Sequence, residues 1–239
     1  MESQRCSVVK RVSLTLIWVL LLVVSSLAQN SDEETSSSLF KKYQVGARIG
    51  SWINLGDTAY TNVLFIDDGN VVGEMETSIN NVNFYFEGYF AYNIFAGGYA
   101  EFSVGVVNRG SVTVGDFFST DIGNLILYPF LLQLKYYPFS ALGSRIQPYV
   151  AAGGGLYYGR QSIQFTTSLF DEAFYRGESQ TDLNFVLSGG VDYGLNEHLA
   201  LDLNIKYMPV SFSDSLILMS DYDALAITVG IKYLYGGKK

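Results

Sequence analysis

The feature that most constrains this fold is a period of two that recurs over eight separate segments, with no charge on one of its two faces. Strict alternation puts successive side chains on opposite sides of an extended chain, so each segment reads as a strand with two unlike faces. In the first, Tyr43, Val45, Ala47, Ile49, Ser51 and Ile53 alternate with Gln44, Gly46, Arg48, Gly50, Trp52 and Asn54. Val82, Phe84, Phe86, Gly88, Phe90 and Tyr92 oppose Asn83, Tyr85, Glu87, Tyr89 and Ala91, and Ala100, Phe102, Val104 and Val106 oppose Glu101, Ser103 and Gly105. Tyr128, Phe130, Leu132, Leu134 and Tyr136 oppose Leu131, Gln133, Lys135 and Tyr137. Tyr149, Ala151, Gly153, Gly155 and Tyr157 form the uncharged face of a Gly-rich fifth strand. Leu183 to Tyr193, Leu199 to Tyr207 and Leu225 to Tyr235 repeat the habit, with Asp192, Asp202, Lys206 and Lys232 on their polar faces.

Two architectures suit such a pattern. A soluble lipocalin-like barrel turns the apolar face inward, whereas a membrane barrel turns it outward and keeps a polar lumen. Three observations favour the membrane barrel. The segments run about 11–13 residues, the length of a tilted bilayer-spanning strand rather than the usual ~5–6 of a soluble one. Connections alternate between short (94–98, 138–145, 194–198) and long (55–81, 110–124, 161–181, 208–222), the turn-and-loop asymmetry of outer-membrane barrels. Aromatic residues gather at strand ends: Tyr43, Tyr92, Tyr136, Tyr149, Tyr193, Tyr233 and Tyr235 at the short-turn end, and Phe84, Tyr128, Tyr157 and Tyr207 toward the other. Amphipathic rings suit the headgroup level. The expected fold is therefore all-β: an eight-stranded antiparallel up-and-down transmembrane barrel, with four long outer loops and three short periplasmic turns.

The N-terminus has the layout of an export signal. Arg5, Lys10 and Arg11 precede the apolar run from Val12 to Val24, and Ser26-Leu27-Ala28 supplies small residues before a cut. An uncleaved anchor helix is the alternative, though the apolar run is short for a bilayer. The expected organisation is a signal peptide over 1–28, a flexible periplasmic leader over 29–41, the barrel over 42–235 and a short tail over 236–239. Cys6, the only cysteine, would leave with the signal, so neither a disulfide framework nor a Cys metal cluster is available. A net charge of −8 excludes nucleic-acid binding by bulk charge.

Particular residues carry a family resemblance. Thr228, Gly230, Tyr233 and Tyr235 resemble the C-terminal assembly signal of bacterial outer-membrane proteins, here followed by Gly236-Gly237-Lys238-Lys239. Leu134-Lys135-Tyr136-Tyr137-Pro138-Phe139, with Gln147-Pro148-Tyr149-Val150-Ala151-Ala152-Gly153, resembles the central hairpin of OmpW-like and OmpA-type small barrels. Tyr43 to Gly50 resembles the OmpW-type first strand. The resemblance implies outer-membrane lipids and, during biogenesis, the barrel-assembly machinery as partners. It also implies a porin-like envelope protein, with a narrow conduit for small, apolar molecules. The second functional class is a surface-interaction protein that binds a partner through its acidic outer loops, with the barrel as anchor only. Val63-Leu64-Phe65-Ile66 and Leu216-Ile217-Leu218-Met219 would serve there as a contact surface or as strands extending past the bilayer.

Enzyme chemistry finds little support. Lipid-modifying enzymes of similar small-barrel architecture use a His near the outer leaflet, but the single His198 lies in a short turn, about 25 Å away across the apolar band. No cofactor motif is present, since Gly153-Gly154-Gly155 lacks the Lys and helix of a phosphate loop. Asp57, Asp67, Asp68, Glu74 and Glu76 read either as solvated loop charge or as oxygen ligands for Ca²⁺. The candidate functional residues are instead charges on the lumen face: Arg48 with Glu87, Glu101 with Lys135, and Asp202 with Lys232, each couple at matched height on neighbouring strands. A buried charge must be paired, and an eight-stranded barrel is only about wide enough for its own side chains. Tyr85, Tyr89, Tyr137, Trp52 and Tyr158 are expected to fill the rest, which excludes a wide pore.

The processing expectation has a direct check. Intact-mass analysis of membrane-extracted protein should give a chain beginning at Gln29; retention of Met1 to Ala28 would revive the anchor helix.

Overall fold

A computed structural model describes residues 39–55, 63–67, 70–75, 81–114, 120–142, 144–166, 173–216, 219–221 and 223–236. Twelve strands occur among them: β1 (Tyr43–Asn54), β2 (Val63–Asp67), β3 (Asn70–Met75), β4 (Val82–Phe95), β5 (Gly98–Val114), β6 (Thr120–Tyr136), β7 (Ile146–Thr166), β8 (Ala173–Gly194), β9 (Leu199–Met208), β10 (Ser211–Leu216), β11 (Met219–Asp221) and β12 (Ala224–Tyr235). Eight close into one antiparallel barrel in the order β1-β12-β9-β8-β7-β6-β5-β4, and β4 pairs back onto β1. Two small hairpins, β2–β3 and β10–β11, stand in the first and last long connections.

Register fixes which side chains face in, because a slip of one residue would exchange the two faces of a strand. Tyr43 lies opposite Tyr235 on one side and Tyr92 on the other, and the ladder runs unbroken to Ile53. In β1, β4, β5, β6, β8, β9 and β12 the uncharged set points outward, with Phe84 67% and Leu183 76% exposed. So large an apolar band, on a barrel whose charges are turned inward, has lipid as its fitting solvent.

β7 departs from the sequence reading. Tyr149, Ala151 and Tyr157 are buried in the lumen, while Val150 and Leu156 face outward and Tyr158, expected inside, lies on the outward face. Apolar residues occupy both faces of this strand, and Gly153, Gly154 and Gly155 carry no side chain to mark a side. The two expected long loops at 110–124 and 161–181 are also largely strand, since β5 runs to Val114 and β7 to Thr166 before β6 and β8 begin at Thr120 and Ala173.

The leader expected over 29–41 is described from Leu39 onward, and its end is docked. Leu39 is buried against Ala200 and Leu234 in the short-turn mouth, and Phe40 sets its ring edge-on to Tyr137 with centroids 5.4 Å apart. Tyr99 donates its hydroxyl to the Lys41 carbonyl at 2.8 Å. Two apolar residues ending a Ser-rich run are what this mouth can bury. The expected signal peptide lies outside the described residues.

The outward face yields a depth test. Leu203→Arg, near the middle of β9, should cost about 2–4 kcal/mol, whereas Ser179→Arg, on the outward face of β8 toward its outer end, should cost about 0–1. Urea titration of detergent-folded protein, read by the mobility difference of folded and unfolded barrel on unheated gels, measures both. Equal costs would mean that no bilayer-depth gradient acts on this face.

Candidate functional site

Among the described residues the lumen buries four cations, Arg48, Lys135, Lys206 and Lys232, and four carboxylates, Glu87, Glu101, Asp192 and Asp202. Their formal charges cancel. Among them Arg48 is the hub. Its Nη1 donates to Glu87 Oε1 at 2.6 Å and to Glu101 Oε1 at 2.7 Å, while Nε donates to Asp202 Oδ2 at 2.7 Å. One guanidinium thus faces three carboxylates, which its planar fork of five donors spread over three nitrogens allows. The Tyr89 ring lies 3.7 Å beneath Arg48 Cζ, closing its remaining face.

The surrounding groups complete the set. Lys206 Nζ donates to both Glu87 oxygens, at 2.8 and 2.6 Å, and the Tyr85 hydroxyl donates to Glu87 Oε2 at 2.6 Å. Asp202 accepts from Tyr149 at 2.8 Å and from Tyr89 at 3.1 Å. Nearer the short-turn end, Asp192 accepts from Lys232 and from the Tyr137 hydroxyl. Lys135 Nζ stands 3.6 Å from Glu101 and 3.5 Å over the Tyr149 ring. Carboxylates this deep are tolerable because each has a cation and at least one further donor or ring around it.

The structure brings together two of the expected couples, Arg48 with Glu87 and Glu101 with Lys135. It does not join Asp202 to Lys232. Register sets Gly230 opposite Asp202 and Lys232 opposite Ala200. Arg48 crosses the bare Gly230 to reach Asp202, and a Cβ there would meet Arg48 Cγ at 2.7 Å and the Ala47 carbonyl at 2.4 Å. Lys232 turns instead to Asp192, which is in register with Asp202 on the next strand. Two neighbouring carboxylates need separate cations, and this arrangement supplies them. Height matching along single strands missed Asp192 and Lys206. The signal that could have found them was the inward phase itself, on which both already lay.

Above the charges the lumen turns apolar: Trp52, Tyr85, Val107, Leu125, Leu127, Leu131, Tyr157, Val186 and Met208 form one buried cluster. Tyr85 fills the cross-section beside Trp52, and Tyr89 and Tyr137 do so lower down. Of the assembly-signal residues, Tyr233 and Tyr235 point outward, whereas Thr228 and Gly230 lie on the lumen side. His198 stacks on the outward Tyr233 ring with centroids 5.9 Å apart, at the short-turn end. Asp57, Asp68 and Glu76 lie outside the described residues, as do the side chains of Asp67 and Glu74.

A closed barrel with an apolar exterior, aromatic strand ends and a charge-paired interior defines an integral outer-membrane β-barrel protein. Residues 17–234 match the family model of the outer membrane protein beta-barrel domain, and the chain belongs to that family. Among solved structures it is similar to the outer membrane protein OprG from Pseudomonas aeruginosa, at 19% identity and a TM-score of 0.52, over 82% of this chain and 98% of that one. It is also similar to Neisserial surface protein A, at 13% identity and a TM-score of 0.51, over 81% and 97% of the two chains. No curated protein matches it by sequence.

The hub makes a graded prediction. Arg48→Met leaves three carboxylates without their shared cation and should destabilise the barrel by about 3–5 kcal/mol or more. Lys206→Met leaves Glu87 its Arg48 contact and should cost clearly less. Urea midpoints in detergent compare the two, and equal losses would remove Arg48 from the centre of the network.

Proposed function

We propose that this protein is a non-enzymatic envelope barrel that serves as a closed anchor for an outer wall of strands, and that this wall meets a partner at the cell surface. The filled lumen carries the reading. Between Lys232 and Trp52 most inward side chains among the described residues are buried, and the eight buried charges sum to zero, which supports a closed interior. β7 and β8 run 21 and 22 residues, against 12 in β1 and β12. At about 3.3 Å per residue and a tilt near 40°, the long pair rises roughly 25 Å above the short pair. During biogenesis the assembly machinery reads Thr228, Gly230, Tyr233 and Tyr235, and outer-membrane lipids surround the finished barrel.

A narrow conduit for small, apolar molecules is the second reading, and one observation favours it. The outer half of the lumen is lined by apolar side chains, within which Trp52 Nε1 and the Tyr157 hydroxyl have no hydrogen-bond partner among the described residues. A ligand with one acceptor group would satisfy them. Planar-bilayer recording and liposome flux separate the two readings. The anchor predicts no conductance steps and no flux above empty liposomes. Reproducible flux that Trp52→Ala alters would establish the conduit instead.

A further inference from the structure

Wherever side chains are described, the lipid-facing side of the barrel strands carries no charge, with one exception. Arg160 on β7 is exposed and shares the outward face of Val150, Leu156 and Tyr158, two residues beyond Tyr158. Its register partners are Ile126 and Ser179, both uncharged, and its side chain makes no ion pair or hydrogen bond among the described residues. Directly below it, Tyr158 is in register with Tyr128, their rings tilted by 33° with centroids 6.2 Å apart.

Position along the strand sets the depth of this cation. Tyr136 marks the lower ring of aromatics and is in register with Val150, ten residues before Arg160. Ten residues span about 33 Å of strand, or roughly 25 Å of height at a 40° tilt, which equals the apolar band of an outer-membrane barrel. Arg160 therefore stands at the headgroup level of the outer leaflet, just past the upper tyrosine pair. A cation deeper in this face would be penalised, whereas at this level the penalty nearly vanishes.

We propose that Arg160, with Tyr158 and Tyr128 beneath it, binds the phosphate of an anionic lipid of the outer leaflet. Three features fit that ligand and no free anion. The guanidinium fork matches a phosphate in two-point contact. The strand wall provides no carboxylate to Arg160 among the described residues, which leaves the guanidinium open to an anion from the membrane. The two half-buried rings lie on the membrane side of the cation, where a lipid places glycerol and acyl chain while inorganic phosphate places nothing.

Native mass spectrometry of the detergent-solubilised full barrel tests this with phosphatidylglycerol and phosphatidylcholine of identical chains. The parent should bind one phosphatidylglycerol in preference to phosphatidylcholine by roughly fivefold, the effect of one cation near an anionic surface. Arg160→Gln should abolish the preference and Arg160→Lys should keep most of it, while the unheated-gel shift shows each variant folded. Inorganic phosphate at the same concentration should leave the lipid bound. Undiminished preference in Arg160→Gln would overturn the site, and displacement by inorganic phosphate would overturn its assignment to a lipid.

Discussion

A closed eight-stranded barrel encloses a space about as wide as its own side chains, and among the described residues this chain buries eight formal charges in it. Those groups must neutralise one another, because each buried charge left alone costs several kcal/mol. Arg48 meets most of that requirement. Its contacts with Glu87, Glu101 and Asp202 tie β1 to β4, β5 and β9 across the lumen, so a single side chain braces strands that do not all neighbour one another in the wall. The tyrosines then act as spacers with one polar end: Tyr85 donates to Glu87, and Tyr89 and Tyr149 donate to Asp202.

The glycines belong to the same design. Gly230 leaves a lane through which Arg48 crosses β12, and a Cβ on Gly190 would lie 2.6 Å from the Tyr149 ring. In a lumen this narrow a large side chain on one strand requires a missing one on the next. Because that requirement is shared between strands, it is invisible to any reading that takes strands one at a time.

That limit explains what was legible in the sequence. Period, phase and the contrast between a charged and an uncharged face identified the barrel, its inside and its outside wherever charges or large apolar residues marked a face. β7 had no such mark. Its Gly153-Gly154-Gly155 run is silent, and Tyr157 beside Tyr158 gives both phases equal weight. The membership of Arg48, Glu87, Glu101 and Lys135 in the lumen followed from phase, but partner choice depended on the shear between strands. Asp202 and Lys232 therefore looked matched in height yet found other partners, and the docking of Leu39 and Phe40 in the short-turn mouth depended on a cavity that exists only once the barrel has closed.

The central claim is that Arg48, reaching across Gly230, is the partner of Asp202. A double-mutant cycle measures it most directly, using Arg48→Met, Lys232→Met and Asp202→Asn singly and in pairs, with unfolding free energies from urea titration in detergent. The account predicts a coupling of at least about 2 kcal/mol between Arg48 and Asp202, in the range of close buried charge pairs. It predicts a clearly smaller coupling between Lys232 and Asp202, which share no direct contact. Additive losses for Arg48 and Asp202, or an equal or larger coupling for Lys232 and Asp202, would contradict it.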